Sequence, residues 1–240
     1  MKAFHRLLIA TVLLAFTSTL VSTQEKTEPK TDAAHKLVEF HMALLKRGPK
    51  WTAAENAETT RLHEQHVNYV VSLLDSGKAV IAGPFTDGGD IDGVFVFRAK
   101  SADEAKALAE ADPTVAAGLH MVEMHPWWSE DIFGKAAKPL KLTQTYFAFL
   151  TRGEKWSAEK TPATEEIQKG HMANINRLAE MKKLIAAGPF GDNGRLRGIF
   201  VFRVGSLEEA KALTATDPAV QAGRLAVEIH PWMVPEGVLP

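Results

Sequence analysis

Residues 37–45 alternate and are rich in apolar residues, with Glu39 and His41 among them, and this run predicts a strand. Farther on, Leu62, His66, Tyr69, Val70 and Leu73 recur at helical spacing. Asn56 or Thr59 is placed to cap that helix. Two apolar runs, 80–85 and 94–98, flank Thr86-Asp87-Gly88-Gly89, which is a hairpin signal. Ser101-x-x-Glu104 opens an Ala-rich helix in the manner of a capping box, and residues 121–127 read as a last strand. The order strand, helix, strand, strand, helix, strand is that of a ferredoxin-like unit.

The same pattern then repeats. Sliding the chain by about 105 positions superposes it on itself without a gap. Gly48 and Lys50-Trp51 fall on Gly153 and Lys155-Trp156, and His66 falls on His171. Ala82-Gly83-Pro84-Phe85 falls on Ala187-Gly188-Pro189-Phe190, and Phe95-Val96-Phe97-Arg98 on Phe200-Val201-Phe202-Arg203. Asp112-Pro113 falls on Asp217-Pro218, and Glu123 with His125-Pro126-Trp127 on Glu228 with His230-Pro231-Trp232. In the second copy Thr161 precedes Pro162 as a helix cap, and Asp192-Asn193-Gly194 makes the hairpin. The fold class is therefore α+β, with two ferredoxin-like βαββαβ domains. A sheet covered by helices on one face needs a partner on the other, so the two copies are expected to pack sheet to sheet as an intramolecular pseudo-dimer. The expected divisions are a signal peptide over 1–23, a flexible lead-in over 24–35, one domain over 36–133, a linker over 134–140 and a second domain over 141–240.

Strand parity sorts residues onto faces. In the last strand His120, Val122 and Met124 should meet the helices, while Met121, Glu123, His125 and Trp127 face the other copy. In the first strand Phe40, Met42 and Leu44 are expected on the helix side, with Glu39 and His41 opposite, matched by Gln144 and Tyr146. First and last strands are neighbours in such a sheet. Glu39, His41, Glu123, His125, Tyr146, Glu228 and His230 are thus candidates for a polar cluster between the sheets. That cluster is either a ligand-binding cavity or a network holding the sheets in register.

Composition narrows the classes. Charged residues make up 24% and the net charge is −1, with no basic surplus of the kind nucleic-acid binders carry. Lys2 and Arg6 precede an apolar run over 7–16 and then Ser18, Thr19, Ser22 and Thr23, the layout of a secretory signal. The run is shorter than the about 20 residues a membrane span takes, and a retained membrane anchor is the alternative reading. Export to the periplasm or outside the cell is the expectation, with no span left after signal removal. The chain has no Cys, which removes cysteine redox chemistry and disulfides.

His66 and His171 sit on apolar helix stripes, where a satisfied core histidine is the plain reading. Asp112 and Asp217 each precede Pro, as helix N-caps do. His63 and His66 are three apart, but Gln168 replaces the first in copy two, which argues against a metal pair. Asp90 and Asp92 of the first hairpin are replaced by Arg195 and Arg197 in the second, a charge inversion that would pair the hairpins if they met. Trp51 and Trp156 follow the first strands and Trp127 and Trp232 close the last ones, as plugs or pocket walls.

The helix His, the A-G-P-F turn, the Gly-containing hairpin, S-x-x-E-A-x-x-L, D-P-x-V-x-A-G and V-E-x-H-P-W together resemble the YCII-related family, in both copies. The resemblance implies a fold related to dimeric α+β barrels and a His–Asp site. That site falls on His66 with Asp112 and on His171 with Asp217. It implies cofactor-free proton transfer, in the manner of a lyase or isomerase acting on a small, cyclic molecule. Typical members are single cytoplasmic domains that dimerise, so a duplicated, exported chain departs from that pattern. The other class of function is a non-catalytic ligand-binding or structural module of the cell envelope. No cofactor and no metal are implied. The chain is expected to be a monomer with an internal pseudo-dimer, open to further oligomerisation.

Overall fold

The computed structural model describes residues 36–240; the expected signal peptide and lead-in lie outside these. The first copy runs β1 (Leu37–Arg47), α1 (Ala57–Asp75), β2 (Ala79–Pro84), β3 (Ile91–Phe97), α2 (Ala102–Glu110), α3 (Pro113–Ala116) and β4 (His120–Glu130). The second runs β5 (Leu142–Arg152), α4 (Pro162–Glu180), β6 (Leu184–Pro189), β7 (Leu196–Phe202), α5 (Leu207–Thr214), α6 (Pro218–Gln221) and β8 (Leu225–Pro235). Among the described residues no helix is long and apolar enough to cross a membrane.

Local chemistry sets these boundaries. The Asn56 side chain accepts from the Glu58 and Thr59 amides, while the Thr59 hydroxyl accepts from the Asn56 amide, so the two residues form one capping box. Thr161 and Thr164 do the same for α4, with Pro162 at the first helical position. The hairpin turns place Gly88 and its counterpart Asn193 at φ of 73° and 52°, the left-handed region that these two residue types tolerate best.

Each copy forms a four-stranded antiparallel sheet, ordered β2-β3-β1-β4 and β6-β7-β5-β8. The two sheets face one another across a shared core that includes Phe40, Met42, Phe85, Trp127, Phe147, Phe149, Phe190 and Trp232. Their edges also meet, β2 beside β8 and β4 beside β6, through isolated bridges between Phe85 and Trp232 and between Trp127 and Phe190. The pseudo-dimer is thereby closed into a barrel-like layer with helices outside. Separate cores lie under the helices of each copy, around Phe95 and Phe97 in one and Phe200 and Phe202 in the other.

One expectation is corrected here. Phe40, Met42 and Leu44 face the shared core, not the helices. In the antiparallel register Phe40 lies opposite Trp127, Met42 opposite His125 and Leu44 opposite Glu123, so all six share the inner face. The parity failed because β1 is central and buried on both sides from Phe40 to Leu45. A run that is apolar on both faces carries no mark of which is inner.

Candidate functional site

Among the described residues four histidines each meet an aspartate through Nδ1, and the four pairs fall into two kinds. The first kind lies on the helix side of each sheet. His66 Nδ1 stands 2.6 Å from Asp112 Oδ2, and His171 Nδ1 stands 2.7 Å from Asp217 Oδ2. The aspartates are fully buried because each caps a short helix. Asp112 Oδ1 accepts from the Thr114 amide at 2.9 Å and hydroxyl at 2.6 Å, and Asp217 Oδ1 accepts from the Ala219 amide at 2.8 Å. The cap and the histidine partner are thus one carboxylate, divided oxygen by oxygen. Burial pushes the Asp112 carboxyl up, but the hydrogen bond and charge of His66 and the two bonds from Thr114 outweigh it and hold the group below its ordinary value. The imidazoles keep a way out, with side chains 21% and 12% exposed for His66 and His171. His66 packs edge-on near Phe95 and His171 stacks on Phe200, which fixes both rings from the sheet side.

The second kind crosses between the copies. His125 Nδ1 meets Asp192 Oδ2 at 2.6 Å, and His230 Nδ1 meets Asp87 Oδ2 at 2.6 Å. Here burial is reversed: the histidine side chains are 10% and 8% exposed and their aspartates 26% and 30%. The other ring nitrogen also faces a carboxylate, Glu123 Oε1 at 2.9 Å for His125 and Glu228 Oε1 at 3.3 Å for His230. Glu123 is bound in turn by Lys46, whose hydrogen bond is the main cause that holds its carboxyl low. In copy two Thr151 stands where Lys46 would be. Burial raises the Asp192 carboxyl, and the bonds from His125 and the Gly194 amide more than reverse this.

These seam pairs belong to a wider clasp. Trp232 Nε1 donates to the Gly83 carbonyl at 2.9 Å and Trp127 Nε1 to that of Gly188 at 3.2 Å. A Cβ on Gly83 would lie 1.8 Å from the Met233 oxygen, and one on Gly188 would lie 1.8 Å from that of Trp128. The A-G-P-F turn of each copy therefore receives the H-P-W strand of the other. Asp87 and Asp192 were missed as functional residues because they read as turn formers. The signal that identifies them is their retention at equivalent hairpin positions, since a turn alone accepts several residue types.

The expected polar cluster assembles only in part, as Glu123 with His125 and Glu228 with His230, and these serve to hold the sheets in register. Glu123, His125, Glu228 and His230 lie on inner faces. Glu39 and His41 lie opposite Trp128 and Pro126 in the register, and His41 also opposite Phe97, on the helix side with Tyr146. Tyr146 accepts from Gln144 Nε2 at 2.8 Å. The space between the sheets is filled by aromatic side chains, among which Trp127 and Trp232 are plugs. Trp51 and Trp156 instead lie against arginines at the strand ends. Among the described residues no group of three or more His, Asp or Glu is disposed to hold a metal ion.

The model of the YCII-related domain matches the chain twice, over residues 31–128 and 145–233. The chain belongs to the YCII-related domain family. One relative, the uncharacterised protein YjpA of Bacillus subtilis, is 33% identical over 88 residues, which are 37% of this chain and 93% of that protein. That relative thus has room for one copy where this chain has two. Among solved structures, a mutant chlorite dismutase of Candidatus Nitrospira defluvii in complex with cyanide superposes with a TM-score of 0.54 at 11% identity, covering 83% of this chain and 91% of that one. A haem-binding protein of Thermus thermophilus gives 0.50 at 16% identity, covering 84% and 92%. At these identities the likeness is one of fold, and it spans both copies together.

Proposed function

We propose that this YCII-related chain is a cofactor-independent lyase or isomerase that moves a proton on a small, cyclic molecule. His66 and His171 are its general bases, and Asp112 and Asp217 position them. The observation that carries this reading is the inverted burial of the helix-side pairs: a carboxylate locked out of solvent at 2.6 Å and 2.7 Å from an imidazole that still reaches it. An aspartate on Nδ1 holds the proton there in the neutral ring and leaves Nε2 bare to accept one. On taking a substrate C–H proton the ring becomes an imidazolium facing a carboxylate, which stabilises it. The electron pair left on carbon forms a new double bond. The proton is then returned elsewhere in an isomerisation, or a leaving group departs from the neighbouring carbon in an elimination.

A second reading, a non-catalytic module of the cell envelope, is favoured by the filled interior between the sheets. In either case the amino-terminal pattern supports export to the periplasm or beyond.

The deciding experiment incubates the mature protein in D2O with a panel of small cyclic carbon acids and follows deuterium incorporation by proton NMR. Exchange in the parent chain and its loss in the double variant His66→Gln/His171→Gln is the expected result. No exchange across the panel, or exchange that survives the double variant, refutes the enzyme reading and leaves the structural one.

A further inference from the structure

The charge inversion between the two hairpins has a structural consequence. In copy one the loop tryptophan and its neighbours are neutralised from within. Asp92 receives Trp51 Nε1 at 3.1 Å and His120 Nε2 at 2.9 Å, and Arg47 Nε stands 3.6 Å away. Arg47 also lies 4.0 Å over the Trp51 ring. In copy two every acidic member of this cluster is gone. Arg197 replaces Asp92, Arg195 replaces Asp90, Leu225 replaces His120 and Arg224 replaces Leu119. Trp156 is now surrounded by the guanidinium groups of Arg197, Arg224 and Arg152, at 4.7, 5.3 and 5.5 Å from its ring centre.

Two of these cations have acceptors, Arg224 on the Ser157 carbonyl at 2.8 Å and Arg152 on that of Asn193. For Arg197, Nε and Nη1 are out of solvent and without a hydrogen-bond partner, as is Nε of Arg47 in copy one, but there Asp92 stands 3.6 Å away. The neighbouring carboxylate, Asp192, is already engaged by His125 and the Gly194 amide. Burial, and then the charge of Arg152, pull the Arg197 guanidinium below its ordinary value against the weaker attraction of Asp192. A half-buried cation with two orphaned donors and a like charge beside it is a costly arrangement in isolation. An anion relieves all three terms at once. The planar fork of a guanidinium suits a carboxylate or a phosphate, and a tryptophan face suits a flat group attached to it.

We propose that the second copy holds a binding site for a small oxyanion, a carboxylate or phosphate group, formed by Arg197, Arg152, Arg224 and Trp156, with Arg195 at its rim. The first copy has no such site, because Asp92 occupies the anion's place. The site stands apart from the helix-side His–Asp pairs, and it borders the seam pair through Asp192.

The test is isothermal titration calorimetry of the mature chain with inorganic phosphate and, separately, with benzoate, in a chloride buffer. Tryptophan fluorescence provides a second readout. Saturable binding of one equivalent of either probe is expected, and the stronger of the two identifies the oxyanion class. Arg195→Asp/Arg197→Asp installs the residues that copy one already accommodates, and should weaken binding by at least about tenfold. Should that variant misfold by circular dichroism, Arg224→Leu, again the residue of copy one, should lower affinity in the same direction. Binding of neither probe, or equal binding by the folded variants, overturns the proposal.

Discussion

The helix-side and seam pairs are the same two residues at nearly the same separation, and they differ in which partner is buried. At the helix side the carboxylate is sealed and the imidazole reaches solvent. At the seam the imidazole is somewhat less exposed and lies between two carboxylates that reach solvent. A histidine with one nitrogen on a buried acid keeps the other for exchange. A histidine with both nitrogens facing acids is a tie between strands. A short His–Asp distance is therefore no evidence of catalysis by itself; the direction of burial distinguishes the pairs proposed for proton transfer from the clasp.

The seam is most directly broken by Gly83→Ala or Gly188→Ala. The added carbon would meet a backbone oxygen at 1.8 Å, and backbone cannot swing aside as a side chain does. Each variant should lose about 4 kcal/mol or more, read by urea unfolding. The helix-side pair gives the next effect. Asp112→Ala removes both a cap and the partner of a part-buried imidazole, and should cost about 2–4 kcal/mol. Asp112→Asn keeps an oxygen for the cap and should cost clearly less while losing any turnover. If both variants cost the same, the cap oxygen contributes nothing and the whole loss is that of the charged contact with His66.

His125→Gln should be milder, about 1–2 kcal/mol, because Glu123 and Asp192 can turn to water. Its loss should appear as faster hydrogen exchange at the seam amides of Gly191 and Thr86, which donate to the carbonyls of Pro126 and Pro231. Acid probes the pairs of both kinds together. Asp112, Asp192 and Glu123 are held below their ordinary values in the folded chain. Their contribution is thus complete above the unfolded-state values and is lost as pH falls through the folded ones, from about pH 4 downward. The smallest effect is that of Thr114→Ala, which gives site one the composition of site two. It should cost about 0.5–1.5 kcal/mol and raise the Asp112 carboxyl, seen by carbon NMR.

Much of this was legible in the sequence. The repeat, the βαββαβ order and the caps Asn56, Thr161, Asp112 and Asp217 follow from period and turn chemistry. The pairing of His66 with Asp112 came with the family resemblance, and the structure places the two within hydrogen-bond distance. The face of β1 could not be read, since a strand buried on both sides carries no polar face to orient it. The seam partners were hidden for another reason. Asp87 lies 143 positions before His230, and nothing local to either residue announces the other. The twice-kept A-G-P-F and H-P-W motifs were visible, but only the closed barrel shows that each copy's turn receives the other copy's strand.

The most direct test is diethyl pyrocarbonate modification of the folded chain, mapped to individual histidines by mass spectrometry. The reagent acylates accessible, unprotonated ring nitrogens. The account predicts modification of His66 and His171 while His125 and His230 stay protected until the chain unfolds. Seam histidines that react as fast as the helix-side ones, or helix-side histidines that do not react at all, would contradict it.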